Sequence, residues 1–328
     1  DRLTTYFGCR VAPFHCTQAD LYVLHEGLIS THLFQDEVRH TGRDVPEGDF
    51  CYGQQRNYMP LGWLDQAFEC GGRRIEGEGV LAAAEQWRRR WDLRAATVVN
   101  RFVLDGQVEV ETEVFAPHGG ETVYVRLARR PAARRRERRE GGEFRWTVRL
   151  PLRTRHGLEL FDGPPAPAPG RRTIVARIGE ASRYAPSETY AIVYGVAPAG
   201  MEVRTAPDGW SATMAGPADA EQVAYLQVDF VRLAGDAAAA ADRRRDELEA
   251  ELAGFDAEAW HAARQEHLAE WERFWSRAAD VEVDGGDDLE RRRRWRLHVS
   301  QYLLRCGNDY GFGGTAQFLL FHQNGWGA

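Results

Sequence analysis

The feature that most constrains this chain is a change of hydrophobic period near Gly235. Upstream, apolar residues alternate with polar ones in short runs separated by turn residues, the period of strands. Downstream, they recur every three or four residues, the period of helices. A run of strands followed by a run of helices specifies separate β and α domains rather than interleaved βαβ units.

The strand signal is clearest from Leu93 to Phe115. Thr97–Leu104 and Gln107–Phe115 flank Asp105-Gly106, a dipeptide favoured in two-residue hairpin turns. In the second arm Val108, Val110, Thr112 and Val114 share one face, and Glu109, Glu111 and Glu113 the other, which describes a half-buried antiparallel strand. Further strands are expected at Thr122–Ala128, Phe144–Arg153, Thr173–Ile178, Thr189–Ala197, Met201–Thr205, Trp210–Met214 and Gln222–Leu233. So many short strands imply a large antiparallel β-sandwich. Residues 1–95 are harder to read. Tyr22-Val-Leu and Leu28-Ile-Ser look like strands, and Tyr58–Leu64 looks like a compact apolar turn. Arg129–Glu140 and Asp162–Arg172 are strongly polar or proline-rich and read as exposed loops.

Helices are expected at Asp236–Ala253, at Ala257–Ala279 with Asp256 as N-cap, and from Asp287 or Asp288 to Cys306. Trp260, His267, Leu268, Trp271, Phe274, Trp275 and Ala278 form an aromatic stripe along the second. Trp295, Val299, Tyr302, Leu303 and Cys306 line up on the third. The divisions that follow are a β-sandwich domain over 1–234, linker helices over 235–286 and a further helical domain begun at 287–328.

The 328 residues allow two domains, and a net charge of -7 argues against nucleic acid and anionic membranes as partners. No apolar run is long enough to span a membrane. All the positive charge is Arg, which base composition of the gene explains as well as function does. The five cysteines are scattered without a C-x-x-C, so they give no metal or redox signature. Cys9–Cys16 could pair in an exported protein, but buried thiols explain the set more simply. His25, His32 and His40 are too widely spaced for a local metal motif. Asp280, Glu282 and Asp284 imitate half a calcium loop, but Arg291 falls where a bidentate carboxylate is required. No phosphate loop, dinucleotide fingerprint or serine-hydrolase elbow occurs, and no metal or cofactor is called for. Paired carboxylates such as Asp36/Glu37 or Asp44/Glu47/Asp49 are close only in sequence.

Ten tryptophans is a high count. Exposed indoles stack on the apolar faces of sugar rings, whereas buried ones fill volume. Trp260, Trp271, Trp275 and Trp295 sit at helical spacing and read as core or domain-interface residues. Trp63 and Trp326 fall in glycine-containing turns, where an indole has a better chance of facing a ligand, although packing accounts for them at least as well.

Four segments carry a family resemblance: Pro60-Leu-Gly-Trp-Leu64, Trp91-Asp-Leu-Arg-Ala-Ala96, Val114-Phe-Ala-Pro117 and Val123-Tyr-Val-Arg-Leu127. In that order they resemble the N-terminal β-sandwich of six-hairpin glycosidases, especially glycoside hydrolase families 95 and 65. Trp271-Glu-Arg-Phe-Trp-Ser, Asp280-Val-Glu-Val and Val299-Ser-Gln-Tyr-Leu-Leu304 resemble the family's linker helices and first barrel helix. Gln317–Trp326 is similar to a segment that follows. The sequence departs from the series at Trp63, where an Asp is common.

The resemblance implies an (α/α)6 barrel after the sandwich and inverting hydrolysis or phosphorolysis of a glycosidic bond. The family's acid and base lie past the point matching Trp326, so no catalytic residue is expected up to residue 328. Gln323, Asn324 and Trp326 are the candidates near the sugar, as amides that bond hydroxyls and an indole that stacks. The expected partner is a carbohydrate, with no nucleic acid, no membrane and no cofactor, and a homodimer is compatible with these features. A non-catalytic carbohydrate-binding or scaffold protein on the same sandwich is the alternative. Localisation is left open.

Overall fold

In a computed structural model, the described residues are 11–14, 27–33, 57–76, 78–115, 117, 122–133, 142–151, 173–178, 189–197, 201–206, 209–233, 237–279 and 288–308. They form fourteen strands and four helices. In chain order these are β1 (Val11–Phe14), β2 (Gly27–Leu33), β3 (Asn57–Cys70), β4 (Arg73–Glu76), α1 (Glu78–Ala83), β5 (Ala84–Asp92), β6 (Thr97–Leu104) and β7 (Val108–Phe115). Then come β8 (Thr122–Pro131), β9 (Glu143–Pro151), β10 (Thr173–Ile178), β11 (Thr189–Ala197), β12 (Glu202–Ala206), β13 (Gly209–Pro217) and β14 (Gln222–Leu233). Helices α2 (Ala237–Ala253), α3 (Ala257–Trp275) and α4 (Asp288–Asn308) complete the set.

The strands make two antiparallel sheets. One has the order β1-β2-β3-β9-β13-β12 with β4 added to β3, and the other the order β10-β11-β14-β8-β7-β6-β5. Their facing surfaces interdigitate. Phe68 of the first sheet meets Phe102 of the second edge-on at 5.8 Å, beside Phe144 and Trp146, all buried. The buried Trp146 indole donates to Gln66 Oε1 at 3.1 Å, so its one polar atom is satisfied inside the sandwich.

The second sheet is covered on its other face as well. Helix α2 packs on β10, β11 and β14, burying Leu248 and Leu252. Helix α3 lays Trp260 against Phe115 at 5.0 Å and Tyr225 at 5.4 Å. The architecture is therefore sheet, sheet, helix. This explains why Glu113, on the polar face of β7, is buried rather than half exposed: Arg264 of α3 donates to its carboxylate at 2.6 Å.

Local chemistry sets the turns. Asp105 and Gly106 both have positive φ, +47° and +66°, as their turn requires. Gln107 N–H donates to Leu104 O at 3.0 Å, yet the ladder pairs Leu104 with Val108. The expected two-residue loop is thus three residues long, and the second arm starts at Val108. Gln107 is drawn out because its carbonyl accepts from Ala132 N–H at 2.9 Å. Gly71 and Gly72 close the β3–β4 hairpin at +58° and +78°, and they escape sequence reading only because their flanking strands do.

Three expectations are corrected. Tyr58–Leu64 is not a turn but part of β3, paired to β2; Pro60 is accommodated because the register shifts beside it, leaving Leu61 as the extra residue of a bulge. Trp63 therefore stands in a strand, opposite Leu28. Arg129 is not in a solvated loop but inside β8 and 1% exposed. Trp295 is 48% exposed rather than core: Trp271 stacks on Tyr302 and Trp275 meets His298, so α3 and α4 run antiparallel and the N-terminal half of α4 projects past the end of α3. Tyr22-Val-Leu, the two cysteines Cys9 and Cys16, and Asp280–Asp284 lie outside the described residues.

Candidate functional site

Of the residues singled out for sugar contact, Gln323, Asn324 and Trp326 lie outside the described residues, and Trp63 is placed by its backbone in β3. The site that can be built is the joint between the second sheet and α3. Helix α3 starts where Asp256, extended in backbone, accepts from Glu258 N–H at 2.9 Å and Ala259 N–H at 3.0 Å. From that fixed start Trp260, His267 and Trp271 follow at helical spacing and all are buried.

The turn between β5 and β6 is what α3 grips. Asp92 Oδ1 accepts from Arg94 N–H and Ala95 N–H at 3.1 Å, folding the turn locally, and Ala96 closes it at φ +46°. Ala95 O then accepts from His267 Nε2 at 2.8 Å, and Leu93 O from the Trp275 indole at 3.3 Å. The Trp91–Ala96 motif is thus half strand and half turn, and its turn half is a socket for the aromatic stripe. Neither the stripe nor the motif names the other in sequence, being separated by more than 170 positions.

Beside this joint, Glu270, Arg273, Phe274, Arg277 and Ala278 line an open groove of about 460 Å³. The Phe274 ring, which packs on Trp271 and Trp275, offers an apolar surface, and Glu270, Arg273 and Arg277 offer acceptors and donors. Glu270 and Arg273 are already paired with each other. Among the described lining residues, none pairs a nucleophile with a base.

Charge is organised on the uncovered part of the same sheet. Arg101 and Arg126 both bond Glu111, and Glu109 joins Arg101 and Arg130. Burial pushes the Glu111 carboxyl up, but the two guanidiniums outweigh it and hold it below the usual glutamate range. Burial raises Tyr225, with Arg126 opposing. Burial likewise raises the Cys70 thiol, next to Gln107. Inside the sandwich, burial lowers Arg129. Its guanidinium donates to Gln222 Oε1 at 2.8 Å and Pro217 O at 2.9 Å and lies 5.0 Å from the Phe144 ring. Among the described residues, no three His, Cys, Asp or Glu side chains stand together as metal ligands, and no helix is long and apolar enough to cross a membrane.

This arrangement defines a class: an antiparallel β-sandwich with helices laid on one sheet. Among solved structures, the chain matches a protein assigned as a kojibiose phosphorylase from the human microbiome, with a TM-score of 0.58 at 10% identity over 85% of this chain. A bacterial glucoamylase complexed with acarbose aligns over 93% of the chain at 8% identity, with a TM-score of 0.49. The first likeness shows a shared fold. The chain spans 38% and 40% of those two structures. No protein-family profile and no curated protein sequence matches it.

Proposed function

We propose that this chain is the N-terminal part of an inverting glycoside hydrolase or phosphorylase. The observation that carries the reading is the fold shared with the phosphorylase across 85% of the chain, in the sandwich architecture that the ordered motifs between Pro60 and Leu127 anticipate. Residues 1–234 form the sandwich domain, 235–286 the linker helices, and 287–328 the start of an (α/α)6 barrel. The sandwich braces the barrel through α3, and the carboxylates that protonate the leaving group and activate water or phosphate belong to barrel residues past 328. Gln323, Asn324 and Trp326, with Trp63, are the residues proposed near the sugar. The substrate is a carbohydrate.

The test is to assay a version extended through the downstream helical residues on a glycoside panel, with and without phosphate, following anomeric configuration by NMR. Cleavage with inversion is expected. Retention of configuration would overturn the mechanism, and no cleavage of any glycoside would overturn the function.

A further inference from the structure

We draw no further inference here: the strongest candidate, the surface patch on the N-terminal half of α4 where Leu289 and Trp295 stand exposed among Arg291, Arg292, Arg293 and Arg296, carries none because nothing in the structure shows what covers it.

Discussion

Arg129 shows how much a single residue can contradict its sequence context. It opens a run of arginines and glutamates that reads as a solvated loop, yet it pins the two sheets together. Gln222 begins β14 in its own sheet, whereas Pro217 ends β13 and Phe144 lies on β9 in the other. Hydrogen bonds to a charged group are worth about 1.5–3 kcal/mol, so Gln222→Ala should lower unfolding free energy by about that much in urea titrations. Gly216 explains the fit: a Cβ there would stand 2.8 Å from Gln222 Nε2 and 2.9 Å from Arg129 Nη2. Gly216→Ala should destabilise by about 1–3 kcal/mol, and less when Gln222 is also alanine, because the two changes share one contact. Glu111 adds a pH dependence. Its folded carboxyl sits below its unfolded value of roughly 4.3, so the stability it contributes is present above that pH and lost as pH falls through the folded value. Glu111→Gln should therefore flatten the acid limb of a stability–pH curve; an unchanged limb would remove Glu111 from the account.

The three long helices and the Asp105-Gly106 hairpin were the most legible elements, because their signals are local, whereas the short α1 and the β3–β4 hairpin were not read. Asp256 reads as an N-cap in sequence and makes both expected bonds, so Asp256→Ala should cost about 1 kcal/mol in thermal unfolding. The Asp105-Gly106 turn was equally plain, and Gly106→Ala should cost about 1–2 kcal/mol because its φ is +66°. Its loop length was not legible, since Gln107 is held by Ala132 of a different strand. Strand β3 failed for the same reason. Pro60 and Gly62 are turn residues by local chemistry, and only pairing with β2 through a bulge makes them strand. Trp295 reads as core or domain interface by spacing, and its 48% exposure, decided by where α3 ends, removes only the core reading.

At the scale of the whole molecule, α3 completes the second sheet. Trp260 is 1% exposed between Phe115 and Tyr225, and Trp260→Ala should cost about 3–5 kcal/mol. A version ending at residue 234 should bare that aromatic face and bind a hydrophobic dye strongly, whereas the full chain should unfold with coincident fluorescence and circular dichroism transitions. Separated transitions would mean that sandwich and helices are energetically independent. The run of strands followed by helices, the hairpin turn, the helix cap and the aromatic stripe could all be read from residues, because each depends on neighbours within a few positions. The burial of Arg129 and Glu113, the strand at Trp63 and the grip of α3 on the Leu93–Ala96 turn could not. Each depends on a partner brought close by folding, and no local pattern records which distant backbone or side chain arrives.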